Sequence, residues 1–422
     1  MRKQFLNEDR LAAVGVALLG LAALFATRGA RAAWDVVPAV GLTTEVDDNA
    51  RLVPIDQPSS TRTALDARLR MRSFGDRGEA FIEPRFVTDS YADQRDAPLE
   101  SNDLFLLTNA AYNFERSSIE FQTDYRRESV LRSEIDAALP EVDSGPGAVD
   151  TGAGTLGTFT DERKRLDVGL NVGFVLSQRT NMRLELSRID VGYPNQTSLV
   201  RSPFDDNTLG IALIRQVDQR NQVTARAYFS DFHAVRNDNN SDAFGVQGAF
   251  SRPVSETWSV EFSAGVARTD YTFRTVTGGI VDNAANNFTF DAGFRKRSEL
   301  TNWTIQVGRA IDPNSNGFLA ARDDLRVRVA HQFRTRLSAS FGVRGSRVDT
   351  PAETVGGGFE RDYWRASFEV DWQMTPRWLL TTGVDHVMEE FTAATGDATS
   401  NAVLVGVRYQ GLSQQAGGAR QR

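Results

Sequence analysis

The stretch Arg62-Thr63-Ala64-Leu65-Asp66-Ala67-Arg68-Leu69-Arg70-Met71-Arg72 decides the fold. Successive side chains of a β-strand face opposite ways, so Leu65, Ala67, Leu69 and Met71 share one face. Asp66, Arg68, Arg70 and Arg72 share the other. One face is greasy and the other heavily charged, and such a strand needs two solvents. Lipid outside and water inside supply both.

The alternation recurs from Trp34 to Tyr409 in segments of about ten residues, bounded by Gly, Asp, Asn, Ser and Pro clusters. It predicts strands at 36–47, 61–73, 79–91, 103–114, 118–129, 165–176, 180–191, 207–217 and 221–232. Further strands are expected at 243–252, 257–270, 287–297, 301–311, 323–333, 337–347, 362–374, 378–390 and 400–409. The fold class is therefore all-β, a transmembrane antiparallel barrel of about eighteen strands (16–18).

The connections give an independent test. After every second strand the link is tight, as in Gly75-Asp76-Arg77, Ser177-Gln178-Arg179, Arg334-Thr335-Arg336 and Thr375-Pro376-Arg377. The intervening links are longer, up to the segment 130–164 with its Gly-rich run Asp143 to Gly154. Short periplasmic turns alternating with longer external loops are the asymmetry of outer-membrane barrels. The long segment would hang outside or fold into the lumen as a constriction.

Bulk composition hides this architecture. With 41% hydrophobic residues, 24% charged residues and a mean hydropathy of -0.36, the chain reads as ordinary and soluble. Only alternate strand residues face lipid, so hydropathy averages out. The absence of Cys excludes a disulfide framework, a thiol nucleophile and thiolate metal ligands. A formal charge of -7, with no basic run, gives no footing for nucleic acid.

The first residues read as a targeting signal. Arg2, Lys3 and Arg10 supply the positive start, Leu11 to Phe25 the apolar run, and Ala30-Arg31-Ala32 a small-x-small cleavage site. The apolar run falls short of the ~20 residues that a spanning helix needs. The expected organisation is a signal peptide at 1–32, an outer-membrane barrel at 33–409 and a periplasmic tail at 410–422. The location that follows is the bacterial outer membrane.

Aromatic residues gather near strand ends, among them Trp34, Tyr112, Phe114, Trp258, Trp303, Trp372, Trp378 and Tyr409. Amphipathic rings favour the headgroup region, so they are expected to form girdles. The charged face is nearly balanced in sign, and opposite charges are expected to ladder across neighbouring strands. A wall so charged cannot be a dry core. It implies a hydrated lumen, and sixteen or more strands leave room for one.

Candidate lumen-lining residues are Arg68, Arg70, Arg72, Arg85, Asp124, Arg126, Arg183, Glu185, Arg326, Arg328, Arg365 and Glu369. Guanidinium groups suit carboxylates, phosphates and stacked sugars, so the Arg clusters fit a path for a polar or anionic solute. The plainer reading is that each Arg neutralises a neighbouring carboxylate. Arg188 and Arg309 stand out of phase near the external rim, where they would meet lipopolysaccharide phosphates or snorkel.

Catalytic signatures are lacking. Asp385-His386 are adjacent in a strand and face opposite sides, so they cannot act as a pair. No nucleophile elbow, metal-spaced His pair or phosphate-binding loop occurs. Asp205-Asp206-Asn207 and Asp238 to Asp242 read as oxygen-rich loops without the spacing of a calcium loop. No cofactor, metal or enzymatic activity is expected.

Short motifs carry a family resemblance. Val40-Gly41-Leu42-Thr43-Thr44-Glu45-Val46 running into Asp47-Asp48-Asn49 resembles the first strand of the beta-barrel porin type 2 family. Ala111 to Arg116, Asp124 to Ser129, and the loop Pro313-Asn314-Ser315-Asn316-Gly317 followed by Arg322-Asp323-Asp324-Leu325 are similar to it too. The tail after Tyr409 departs from barrels that stop at a terminal aromatic. The resemblance implies a passive conduit for a secreted exopolysaccharide. Outer-membrane lipids, lipopolysaccharide, the polysaccharide and periplasmic export components would be its partners. The alternatives are a diffusion porin for small polar solutes, or a barrel enzyme or surface adhesin.

Overall fold

A strand that is greasy on one face and charged on the other is stable in a sheet that closes on itself. Closure pairs every backbone group and sorts the two faces into an outside and an inside. The computed structural model shows this closure. It describes residues 33–54, 59–92, 99–130, 161–194, 201–235, 238–274, 279–315, 317–350, 359–391, 397–411 and 414–416. The expected signal peptide, the bulk of the long segment 130–164 and the end of the tail lie outside the described residues.

The wall opens with β1 (Ala33–Asp47), β2 (Ser60–Phe74), β3 (Gly78–Tyr91), β4 (Asn102–Asn113), β5 (Ser117–Ser129) and β6 (Glu162–Ser177). It continues through β7 (Thr180–Gly192), β8 (Phe204–Gln216), β9 (Gln222–Ala234), β10 (Asn239–Pro253), β11 (Trp258–Arg274) and β12 (Ile280–Arg297). It ends with β13 (Thr301–Pro313), β14 (Leu319–Arg334), β15 (Leu337–Thr350), β16 (Phe359–Thr375), β17 (Trp378–Phe391) and β18 (Ala398–Gln410). Each strand is antiparallel to its neighbours, and β1 pairs with both β2 and β18 to close the ring. A short β19 (Gln414–Ala416) pairs with Trp34–Val36, so part of the expected tail continues the seam. Gly411 lets the chain pass Pro38: a Cβ there would stand 2.8 Å from the proline ring.

All eighteen predicted strands are present, and their periplasmic ends fall within a residue of where the alternation stops, except that β1 begins at Ala33 instead of 36. External ends match at β1, β3 and β5 but run on in most of the later strands. β12 begins at Ile280 and β10 at Asn239, where alternation points to 287 and 243. Above the lipid both faces meet water, so outward positions such as Asp282, Asn286, Asp270 and Asp242 are polar while the ladder continues. The segments Asp205-Asp206-Asn207 and Asn239 to Asp242, expected as loops, are therefore strand.

Between the rims the outer face is apolar, with Leu42, Val246, Phe262, Phe341, Phe368 and Val405 all exposed. A periplasmic girdle pairs Trp378 with Tyr409, Trp258 with Phe294 and Tyr112 with Phe114, their ring centroids 4.8–5.2 Å apart. The external boundary carries Phe229 against Phe244, with Phe86, Phe288 and Trp364 around the ring. An apolar band between aromatic rings on a closed antiparallel sheet is the wall of a bacterial outer-membrane barrel.

Two features shape the external end. The first lies at the seam, where Asp47-Asp48-Asn49 ties β1 to β18. Asp47 accepts from the Ser400 hydroxyl at 2.6 Å, and Asp48 accepts from the Asn401 backbone N–H and side-chain amide at 2.7 and 2.8 Å. The Asn49 side chain is fully buried and bridges Val53 to Thr399.

The second is the β13–β14 hairpin, which parts from β12 while β14 stays paired with β15 up to Ala321. β12 pairs with β13 only from Phe290↔Arg309 down to Arg297↔Asn302, although β12 rises to Ile280. The hairpin tip is instead buried, with Asn314, Ser315, Phe318 and Ala320 each at most 4% exposed. Ser202 N–H donates to the Ser315 carbonyl and the Asn239 side-chain amide to the Gly317 carbonyl, both at 2.7 Å. Leu319 packs against a cluster of Val130, Val191, Tyr193, Phe204, Phe232 and Ala234. The tip thus reaches to the β8–β10 side of the mouth.

Candidate functional site: the charged lumen wall

The inward residues of the strands build the candidate site. On β2 and β3, Arg70 meets Glu83 at 2.6 Å, and Arg85 forms two hydrogen bonds with Asp66 at 2.9 and 3.0 Å. Arg72 stands over the Phe81 ring and Arg85 over Phe105, 5.3 and 5.6 Å from the centroids. Arg68 lies directly across from Arg85. On β5 and β6, Arg126 binds Asp124, and Arg165 holds Asp167 at 2.9 Å.

On β7 and β9 a smaller cluster centres on Glu185. It takes Arg183 at 3.1 Å and Arg226 at 2.7 Å, and Arg226 covers the Tyr228 ring. Tyr228 lies flat over Gly245, where a Cβ would come within 2.4 Å of the ring. The glycine is the recess that lets the ring lie against the wall.

The largest group spans β14 to β17. Arg322 bridges Asp312 at 2.9 Å and Asp324 at 2.7 Å, and Arg326 reaches Asp324 at 3.7 Å. Arg365 holds Asp385 at 3.0 Å and Arg361 holds Glu389. Arg326, Arg344 and Arg365 are consecutive cross-strand partners, so three guanidinium stems form one row across β14, β15 and β16. Arg328 and Glu369 lie deeper on the same wall, opposite Gly342 and Ser340 of β15.

The expected ladder of opposite charges is present in part, as where Arg62 faces Glu45 at 2.9 Å. Direct partners repeatedly share a sign: Arg68↔Arg85, Arg126↔Arg165, Asp124↔Asp167 and Arg326↔Arg344↔Arg365. Other opposite charges sit two places along the same strand or on a diagonal. An Arg stem is long enough to bend its head over that distance, whereas a carboxylate on a short stem stays near its own Cα. The result is belts of like sign stacked along the lumen.

Of the twelve residues nominated from sequence, Arg70, Arg85, Arg126, Arg183, Arg326 and Arg365 each bind a carboxylate, and the nominated acids Asp124 and Glu185 each bind a guanidinium. The plainer reading of neutralisation therefore describes these pairs. At the rim, Arg188 binds Asp190 at 3.4 Å and Arg309 binds Asp323 at 3.4 Å, so both have protein partners. Asp385 is inward and buried while His386 is outward, hydrogen-bonded to Asn401. No group of three metal-ligating side chains occurs among the described residues.

Sequence reasoning missed three features. Arg361 lies beyond the predicted start of its strand. Arg201, 1% exposed, binds the fully buried Asp161 at 3.1 Å from an expected loop. The inward aromatics Phe81, Phe105 and Tyr228 were legible from parity alone, since each alternates with the outward set.

No family model matches the chain, and no curated protein matches it. Similar solved structures include OpdK of Pseudomonas aeruginosa with vanillate, 11% identical over 90% of this chain and 99% of that one, with a TM-score of 0.44. OpdQ of the same organism gives the same four values. OccAB2 of Acinetobacter baumannii is 10% identical over 90% and 98%, with a TM-score of 0.44. These likenesses extend to barrel architecture only; the fold is read from the closed sheet and its two faces.

Proposed function

We propose that the protein is an outer-membrane diffusion channel for small polar solutes, with the Arg326–Arg344–Arg365 row receiving an anionic group on the solute. The observation that carries this reading is the in-register row itself. Three guanidinium stems on adjacent strands, about 5 Å apart across the sheet, present several donors to one passing anion. Their carboxylate partners flank the row, Asp324 level with Ser346 on its external side and Asp385 level with Ser367 on its periplasmic side.

Transport of a long polysaccharide, which the family resemblance implies, draws support from that resemblance alone. The hairpin tip, turned toward the β8–β10 side of the mouth, supports small solutes over a polymer.

The test is reconstitution in planar bilayers with a salt gradient, reading the reversal potential. The wild type is expected to favour the anion, and R326Q/R344Q/R365Q to shift the reversal potential toward the cation. An unchanged reversal potential in a conducting variant removes the row from the proposal. Free passage of long oligosaccharides in vesicle-swelling assays would restore the polymer reading.

A further inference from the structure

The departure of β13 from β12 leaves one strand edge without its expected neighbour. β12 and β13 keep a constant register, in which Phe290 faces Arg309 and Arg297 faces Asn302. Continued upward, it places Thr289 beside Ala310, Phe288 beside Ile311, Asn287 beside Asp312 and Asn286 beside Pro313. The side chains fit that continuation. Ile311 has the parity of outward Val307, so it would lie beside the outward Phe288, which is 55% exposed. Asp312 would face inward beside Asn287. Pro313 has no N–H and would end the ladder.

We propose that the β13–β14 hairpin is a gate with two pairings written into the chain: inserted, with its tip at the β8–β10 side, and zipped onto β12 at Asn286–Thr289. This regulation rests on the reading of the lumen as a conducting path. The inserted state has the Ser202–Ser315 and Asn239–Gly317 hydrogen bonds, buried Phe318, and Leu319 packed against the Val130–Phe232 cluster. The zipped state exchanges these for up to four residue pairs of sheet and an Ile311–Phe288 contact at the lipid boundary. Each side is a short list of weak interactions, so the difference between them is small, as a switch requires.

Gly317 seats the inserted state. Its φ is +81°, and a Cβ there would stand 2.8 Å from the Cβ atoms of both Ser202 and Ala234. The seat is cut to glycine. In the zipped state the tip leaves the mouth, and the notch beside β12 closes.

The chain has no cysteine, so paired cysteines report position without interference. F288C/I311C joins residues that meet only when the hairpin is zipped. V266C/F288C joins direct partners of the fixed wall and serves as the control. S202C/S315C fixes the inserted state. Heat-modifiable gel migration first verifies that each variant forms a folded barrel.

The expected result is that F288C/I311C bridges under mild oxidation and raises single-channel conductance, reversibly with reductant. Oxidised S202C/S315C is expected to stay at the low level. A bridged control with an unbridged F288C/I311C overturns the two pairings. Bridging without a change in conductance overturns the gate. If reduced, folded protein conducts nothing while F288C/I311C still bridges, the diffusion reading falls and the two pairings stand.

Discussion

Replacing Asn49 with Ala tests how the barrel is closed. Asn49 Nδ2 donates to the carbonyls of Val53 and Thr399, both at 2.8 Å, and its Oδ1 accepts from the Val53 N–H at 3.1 Å. The residue is 0% exposed, so water cannot readily replace these partners. At about 1 kcal/mol for each of three hydrogen bonds, the loss is about 3 kcal/mol. The neighbouring Leu52, held at a φ of +48° and buried against Tyr363, Val387 and Ala398, depends on the same turn. Asp48→Ala removes two hydrogen bonds at an exposed site and should cost less than about 1 kcal/mol. Asn49→Asp is not expected to rescue, since its carboxylate would face two carbonyl oxygens.

The assay is urea unfolding in lipid vesicles, followed by Trp fluorescence and by the gel shift of the folded barrel. A lower midpoint at unchanged slope reads stability directly. A midpoint for Asn49→Ala within about 0.5 kcal/mol of wild type, or equal to that of Asp48→Ala, would refute the claim that buried amide bonds hold the seam.

Two further outcomes concern the faces and the turns. Val405→Arg puts a charge on the lipid face midway along β18, where the side chain is 51% exposed, and should destabilise the barrel by about 2–4 kcal/mol in vesicle urea titrations; an unchanged midpoint would place Val405 away from lipid. In the turn after β8, Asp218 accepts from the backbone N–H groups of Arg220 and Asn221 at 2.8 and 2.9 Å, and these bonds hold its carboxyl below the usual carboxylate range. A depressed pKa means that the turn's contribution is present above the ordinary carboxylate pKa and fades as pH falls through the depressed one. Protection factors for amide exchange at Arg220 and Asn221, taken relative to the intrinsic rate at each pH, should therefore fall in acid, and Asp218→Asn should abolish that dependence; the same acid response in the variant would assign it elsewhere.

What was legible in the sequence follows from which solvent each strand end meets. Periplasmic ends stop at the girdle, so alternation and strand end together, as at Trp378 and Tyr409. External ends continue past the lipid, and there Asp282 or Asn286 on the outer face reads like loop. The motif Asp47-Asp48-Asn49 was visible as a signature, but its work needs partners some 350 residues away, at Ser400 and Asn401. The inserted hairpin was hidden for a similar reason. Pro313-Asn314-Ser315-Asn316-Gly317 has the composition of an external loop, and only Phe318-Leu319 just behind it hints at burial. The Leu319 partners Phe204 and Phe232 come from other hairpins.

The belts of like sign belong to a third level, because periodicity assigns a residue to a face while register assigns its neighbour. A slip of two residues between β14 and β15 would keep every side chain on its face. It would also set Asp324 opposite Arg344, which is the ladder of opposite charges that the sequence favours. The observed register sets Arg326 there instead, and it includes an irregularity between Gln332 and Arg334 beside the tight turn. Magnitudes explain the outcome. A cross-strand ion pair contributes roughly 0.2–1 kcal/mol, and less where water reaches it. A slip would forfeit backbone hydrogen bonds at about 1 kcal/mol each and move the outward residues off the lipid boundary. Turn length and the lipid face therefore set the register, and the lumen charges take the places left to them. Diagonal Arg–carboxylate contacts then recover most of the electrostatics, and the row of three arginines remains as the feature a solute meets.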